Sequence, residues 1–478
     1  MKEYETVIGL EVHLQLKTRT KIFCGCANRF GDEPNTLTCP VCLGLPGSLP
    51  VLNRKVLDYA LKTAMALNCQ INPYIKFDRK NYYYPDLPKG YQISQYDLPI
   101  ANHGYIHIEI DRQKKKIGIR RAHLEEDAGK LIHDPALNSS LVDYNRTGTP
   151  LMEIVSEADL RSPKEAYDYL SVLKLTLQYL DVSDCDMEKG SLRCDANVSI
   201  LEKGAKEFGT KAEVKNMNSF RAVKAALEFE ENRQRQLLEA HERIIQETRL
   251  WNEEKQMTFS MRSKEEAHDY RYFPEPDLVP FVVDEKTVQE IRLSLPESPF
   301  IKFERLMKQY ALSEYDAQIL IQDRALADFF EACTKQYPET KKICNWLIGP
   351  VLKELNTRKA SITAINLKPG DLVDLIKKVE EGAVSNLVAK DILPLMIDES
   401  KSADSIIREK GLAQVSDDST LEGIVEQIIS EHQNIVTQIK QGKESAVGFL
   451  VGQAMKKTSG KANPKRLNDI IKRRLQNA

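Results

Sequence analysis

An α+β fold is predicted for this chain: a mostly antiparallel-sheet domain with a cysteine knuckle near its start, followed by two all-α modules. Three observations carry that prediction. Before about residue 290, several segments alternate apolar and polar residues, as half-buried strands do. After Pro296-Glu-Ser-Pro299 the texture becomes helical, with Phe303, Leu306, Met307 and Tyr310 at helical spacing. The chain has 478 residues, enough for about two to four domains.

The elements follow in order. In residues 5–16, Ile8, Leu10, Val12, Leu14 and Leu16 fall on one face, and Glu11, His13 and Gln15 fall on the other. Residues 104–121 read as a hairpin, with Ile106, Ile108 and Ile110 leading through a turn at Arg112–Lys116 into Ile117 and Ile119. Glu125-Glu126-Asp127-Ala-Gly is expected to be a turn. A helix is expected from about Pro163 to Leu180, with proline in its first turn and Leu170, Leu173 and Leu177 on one face. Residues 192–200 alternate again, placing Arg193, Asp195 and Asn197 on one face. A long charged helix is expected over Ser219–Thr248. Residues 296–410 read as one helical domain and residues 411–478 as a second, basic one.

Composition excludes little but points to an ordinary soluble globular protein, at 42% hydrophobic and 29% charged residues with a net charge of −2. No apolar run approaches the ~20 residues that span a bilayer, and the first residues run directly into a strand pattern. A cytoplasmic location with no membrane partner is the expectation. Thiols stay reduced there, so the nine cysteines should be free or metal-bound.

Four of them are spaced as ligands. Cys24-x-Cys26 is followed, twelve residues on, by Cys39-Pro-Val-Cys42 and then Leu-Gly. Two close pairs across a loop supply four thiolates, the tetrahedral set that zinc prefers. Proline and glycine favour the turn that aims both sulfurs of the second pair. Such a zinc knuckle has no open coordination position, so it is structural. Cys69, Cys185, Cys194, Cys333 and Cys344 are scattered and read as small buried side chains.

The acids form a second pattern. Glu11 and His13 leave one strand on one face, Asp195 repeats this on another strand, and Glu153 interrupts the apolar run Leu151–Val155. Such acids stand either on solvated strand faces or around a cation. Like charges about 4 Å apart repel by about 4 kcal/mol at an effective dielectric near 20, so convergence would call for a divalent ion. Carboxylates plus one imidazole suit Mg2+ or Mn2+. The chain has no G-x-x-x-x-G-K-[ST] loop and no G-x-S-x-G or Gly-Ser-Ser nucleophile motif. At the other end, residues 440–478 hold ten Lys/Arg and only Glu444 and Asp469 as acids, a local charge of +8. That suits either phosphate-backbone contacts or a solvated helical face.

Taken together, several segments resemble one family. They are Val7-Ile-Gly-Leu-Glu11-Val-His13, Lys80-Asn-Tyr-Tyr-Tyr-Pro through Ser94, and His123-Leu-Glu-Glu-Asp-Ala-Gly-Lys130. Asn145-Arg-Thr-Gly-Thr-Pro through Glu157, Arg193-Cys-Asp-Ala-Asn-Val198, Lys215-Asn-Met-Asn-Ser-Phe-Arg221 and Tyr270-Arg-Tyr-Phe-Pro through Leu278 complete the set. The chain looks like the B-subunit family of the tRNA-dependent amidotransferases that act on Glu-tRNA(Gln) and Asp-tRNA(Asn). One departure is Ala158, where the family usually has proline, a difference in a turn and not in the chemistry.

The resemblance implies a ligase that uses ATP to phosphorylate the side-chain carboxylate of the misacylated tRNA. It then amidates that carboxylate with ammonia released by a partner glutaminase, the amidase or A subunit. A small C subunit would complete a heterotrimer. By motif the resemblance implies that Glu11, His13, Glu125, Glu126, Glu153 and Asp195 serve the catalytic site and Mg2+, with ATP as co-substrate and zinc structural. Lys80 and Tyr82 either position substrate near the ammonia entrance or form an ordered loop. A terminal base stacking on the tyrosines at 82–84 and simple core packing are equally open. Residues 1–295 would then be the catalytic domain, with the knuckle at 24–42. The basic end would grip tRNA through Lys456, Lys457, Lys461, Lys465 and Arg466. The competing readings are a non-catalytic, zinc-containing RNA-binding scaffold and, more weakly, a glutaminase in its own right.

Overall fold

Strand formation begins where the alternation is cleanest. In the computed structural model, Tyr4–Gln15 is a single strand, and its even-numbered residues from Ile8 to Leu14 are buried. The structure describes the chain apart from residues 1–2, 135–138, 206, 264–269, 414–417, 441–445, 459–461, 463 and 477–478. It divides into two compact units, Met1–Ser298 and Pro299–Ala478.

In the first unit, Tyr4–Gln15 is the middle of a nine-stranded sheet. Across it the strands run Met257–Ser263, Glu247–Asn252, Ala212–Lys215, Leu192–Glu202, Tyr4–Gln15, Pro150–Ser156, Gln113–Glu126, Ala101–Ile110 and Gln70–Ile71. Neighbours pair antiparallel, except that Ala212–Lys215 and Glu247–Asn252 run parallel. A parallel step requires a crossover, supplied here by helix Phe220–Glu239. That helix and Pro163–Leu180 cover the apolar face, where Leu170, Leu173, Leu177, Val223 and Leu227 meet Leu10, Val12 and Val198 in one core. Ser162 and Ser219 begin the two helices with side chains that accept from Glu165 N and Ala222 N. The other face of the sheet carries the polar residues. A smaller sheet, with Asp78–Asn81 between Arg271–Pro274 and Tyr91–Ser94, belongs to the same unit.

Three local expectations need correction. The hairpin turns at Asp111–Arg112, both at positive φ (49° and 65°), instead of over Arg112–Lys116. A two-residue turn of this kind matches strand twist best, and the lysines after it belong to the returning strand. Glu125 and Glu126 are not in a turn but end the strand Gln113–Glu126, because Pro150–Ser156 pairs with it to its last residue. The helix expected to reach Thr248 stops at Glu239, and Glu247–Asn252 is a strand. No glycine or proline marks that break, which comes at His241 with φ 60°.

The second unit is helical. Lys302, buried in helix Pro299–Tyr310, pairs with Asp328 and with Glu331 (3.1 Å) of helix Arg324–Thr334, and Arg305 adds a 2.5 Å bond to Glu331. Helices Asp418–Glu431, Gln433–Lys440, Val447–Lys457 and Pro464–Gln476 share a core built on Leu421, Val425, Leu450, Leu467 and Ile470. Among the described residues, no helix is long and apolar enough to cross a membrane.

The Glu331 cluster predicts acid sensitivity. Burial alone would raise this carboxyl, but its bonds to Arg305 and Lys302 prevail and hold it at about 2, against an ordinary 4.5. A depressed acid stabilises above its unfolded value and loses that contribution as pH falls toward the folded one. The second unit should therefore lose stability between about pH 4.5 and 2. Glu331→Gln should flatten that part of a denaturation-against-pH curve.

Candidate active site and cysteine cluster

Register builds the site. His13 lies directly across from Glu153, and Glu153 directly across from His123, so three neighbouring strands place these side chains in one row on the polar face. Glu125 stands two residues beyond His123 on the same face. His13 Nε2 lies 3.6 Å from Glu153 Oε2 and 3.9 Å from Glu125 Oε1. His123 Nε2 approaches the same two acids, at 3.4 Å from Glu153 and 3.9 Å from Glu125. Ligand atoms of His13, Glu125 and Glu153 all lie within 4.8 Å of one another.

Glu125 and Glu153 are buried, and their proximity drives their proton affinities apart. Burial raises Glu125 and the neighbouring Glu153 charge adds to it. Burial also opposes the charge on Glu153, but His123 and His13 outweigh it and hold that carboxyl well below its usual range. His13 follows its acids: burial works against its charge, and the bond to Glu153 with the Glu125 charge raises it. His123 is pushed down to about 4 by burial, and its buried Nδ1 has no hydrogen-bond partner among the described residues. Two carboxylates and an imidazole within reach of one point form the donor set of a hard divalent cation, and His13, Glu125 and Glu153 would hold it.

The other expected acids sit differently. Glu11 is one step along the strand from the row, accepts a 3.0 Å bond from Asn197 Nδ2, and is raised by burial and by Glu153, Glu213 and Asp195. Asp195 lies across from Glu11 but pairs with Lys215 at 2.7 Å. Glu126 is not brought to the cluster. It alternates to the other side of its strand, where Lys89 pairs with it and Ile93 N donates to it at 2.9 Å. A carboxylate already neutralised this way is a structural anchor. The small sheet walls the site, with Ser94 Oγ 3.5 Å from Glu125 Oε2 and Gln92 Nε2 donating to Glu126 O at 2.7 Å. On that wall Lys80 lies 4.6 Å from the Tyr270 ring centre and 5.7 Å from that of Tyr82. Burial opposes the Lys80 charge, and Glu125, Tyr272, Tyr270 and Glu153 together more than offset it. Tyr82 is half-buried and its hydroxyl lies 3.3 Å from Gln92 Oε1.

Sequence reasoning missed His123, although its spacing from Glu125 repeats that of Glu11 and His13 and was readable. It also missed Asp127, which is buried and receives Gln15 Nε2 and Arg193 at 2.9 Å each. Lys89 gave no signal, because its partner lies 37 residues away.

The four cysteines do converge. Their sulfurs all lie within 4.8 Å of one another, and Cys39 and Cys42 Sγ are 3.9 Å apart. Zinc at roughly 2.3 Å from four sulfurs would space them about 3.8 Å apart, so the cluster is compatible with that ion. Local backbone makes this possible. Lys21 N bonds to Cys26 O at 3.0 Å, and Cys39 opens the short helix Pro40–Leu43, which ends at Gly44 with φ 68°. Lys21, fully buried, places its Nζ 3.8 Å from Cys42 Sγ. Gly148, at φ 79°, accepts from Ile22 N and donates to Asp127 O, joining the segment that carries the cysteines to the end of the acid-bearing strand.

In the basic segment, Lys456 and Arg466 are exposed, Lys465 falls in helix Pro464–Gln476, and Lys461 lies outside the described residues. Lys457 pairs with Glu431, Arg473 with Glu422, and Arg474 with both Glu422 and Glu426. Part of the local +8 is thus answered by helix Asp418–Glu431.

The Lys89–Glu126 pair yields a prediction. Lys89→Ala leaves a buried carboxylate unpaired and should cost the first unit about 3–5 kcal/mol in a denaturant titration.

Two family models match this chain, the GatB/GatE catalytic domain over residues 6–289 and the GatB domain over 328–475. The B subunit of the aspartyl/glutamyl-tRNA(Asn/Gln) amidotransferase of Carboxydothermus hydrogenoformans is 55% identical over 478 residues, covering 99% of both chains. That of Moorella thermoacetica is 54% identical over 475 residues, 99% of this chain and all of its own. That of Thermodesulfovibrio yellowstonii is 54% identical over 98% of both. With matches that span both units, this chain belongs to the B-subunit family of the aspartyl/glutamyl-tRNA(Asn/Gln) amidotransferases.

Proposed function

We propose that the chain works in a tRNA-dependent amidotransferase as its B subunit, turning Glu-tRNA(Gln) or Asp-tRNA(Asn) into its amide with ATP and with ammonia from a partner chain. The observation that carries the chemistry is the row of His13, Glu153 and Glu125 on one sheet face, within 4.8 Å and largely out of water. A pure RNA-binding scaffold has no use for buried, mutually repelling acids, so that reading is not favoured.

The reaction has two steps. The γ-phosphoryl group passes from ATP to a side-chain carboxylate oxygen, leaving ADP and an acyl phosphate. Ammonia then attacks the carbonyl carbon, phosphate departs with the C–O electron pair, and the nitrogen loses a proton. Mg2+ held by His13, Glu125 and Glu153 would supply charge neutralisation for the phosphoryl group. His123 flanks Glu153 on the side away from His13, and Glu11 and Asp195 extend the acidic face toward Lys215. Lys80, poised against Glu125 under Tyr82 and Tyr270, steers the substrate carboxylate. The small-sheet wall keeps water from the acyl phosphate.

We read the four cysteines as a structural zinc site that staples the loop at 20–50 to the rim of the domain. Residues 1–295 form the catalytic domain, 296–410 a helical domain, and 411–478 the module that grips tRNA, its exposed Lys456 and Arg466 facing the phosphate backbone. The amidase (the A subunit) and the small C subunit complete the heterotrimer, and the site of action is cytoplasmic.

Two outcomes follow. His13→Ala and Glu125→Ala should each reduce ATP-dependent amide formation by at least about 100-fold in the assembled enzyme while leaving tRNA binding within about twofold; full activity in both would remove the assignment. Elemental analysis should find one zinc per chain. Cys42→Ser should lose it and speed hydrogen exchange across residues 20–50 with little change in residues 192–200.

A further inference from the structure

One aromatic pair has no part in the chemistry above. Tyr96 and Tyr272 lie face to face, ring centres 4.3 Å apart and planes 19° from parallel. Tyr96 is 54% exposed, yet it is not on a loose loop. Its backbone N donates to Asp78 Oδ2 at 3.0 Å, and Lys76 fixes Asp78 at 3.1 Å and Asp97 at 2.8 Å. An exposed ring held this firmly is a preorganised flat surface.

The pair adjoins the acid cluster. Tyr272 is the cross-strand partner of Lys80, and Lys80, Arg121, Glu125 and Glu153 are the charges that act on its hydroxyl. The stack therefore begins beside the reacting groups and leads outward to Tyr96. Flat aromatic side chains are the usual platform for unstacked bases at single-stranded RNA ends.

We propose that the Tyr96–Tyr272 stack binds the purine base of the tRNA's terminal adenosine, the nucleoside that carries the amino acid. This rests on the amidation reading, and the exposure of Tyr96 at the outer end of the stack favours the RNA end as the source. With the amino-acid carboxylate at His13, Glu125 and Glu153, the base of the esterified nucleoside lies nearby. The base of ATP is tethered to its γ-phosphate by a ribose and two further phosphates, a comparable reach, so separate KM values for tRNA and for ATP tell the two adenines apart.

The test uses the assembled enzyme and tRNA whose terminal adenosine is replaced by 2-aminopurine riboside, a base whose fluorescence is quenched by stacking. Wild type and Tyr96→Phe should quench it, and Tyr96→Leu should lose most of the quenching. With aminoacylated tRNA, Tyr96→Leu should raise KM for the tRNA roughly 5- to 100-fold, the loss of one base–aromatic stack, and leave KM for ATP unchanged. Tyr96 is exposed, so the variant should unfold at the wild-type temperature; Tyr272→Leu, set deeper, is read only beside it. Unchanged quenching in Tyr96→Leu would overturn the proposal. So would a raised KM for ATP with KM for tRNA unchanged, which would give the stack to the nucleotide. Quenching is measured on uncharged tRNA too, so a complex that makes no ADP, a failure of the amidation reading, is told apart from a failure of this one.

Discussion

Burying carboxylates side by side is costly, and the polar face of the nine-stranded sheet does so in a single row. Glu153 has a histidine across from it on each side, His13 and His123, and Glu125 closes the group from the next position on the His123 strand. At an effective dielectric near 20, two such charges about 4 Å apart repel by about 4 kcal/mol. Without an ion, His13 offsets part of that; a divalent cation would offset it instead, with neutral His13 as one of its ligands. The remainder of the first unit keeps this row in place. Leu10, Val12 and Leu14 anchor the central strand from behind, the Lys89–Glu126 pair fixes the end of the next acid-bearing strand, and the small sheet covers the front.

A one-residue slip of the central strand would turn His13 and Glu11 into the core and bring Val12 to the site. The alternation that forms the strand is thus also what forms the site. This explains why so much is legible in the sequence. The strand Tyr4–Gln15 follows from its period, and the helix Pro163–Leu180 from its period and the proline in its first turn. His13 and Glu11 fall on one face before any pairing is known. Their convergence with Glu125 and Glu153 does not follow from sequence, because strand order and register are long-range facts.

The misses have the same physical origin. Glu126 looks equivalent to Glu125 in the sequence, yet period two sends neighbouring side chains to opposite sides, and a lysine 37 residues earlier settles its fate. The helix reads on to Thr248 because residues 240–248 hold no glycine or proline, and the parallel pairing of Glu247–Asn252 with Ala212–Lys215 is invisible locally. In the second unit, a count of the basic segment alone omits the acids of Asp418–Glu431 that partly neutralise it. The cysteine spacing is local and carries through to convergence of all four sulfurs.

On this arrangement His13, Glu125 and Glu153 would together hold one divalent cation. Mn2+ titration followed by electron paramagnetic resonance tests it directly, comparing the wild-type chain with Glu153→Gln. One tight Mn2+ per chain is expected in the wild type, with an affinity at least roughly tenfold weaker in the variant. Equal affinity in the two proteins, or no bound Mn2+ in the wild type, would contradict it.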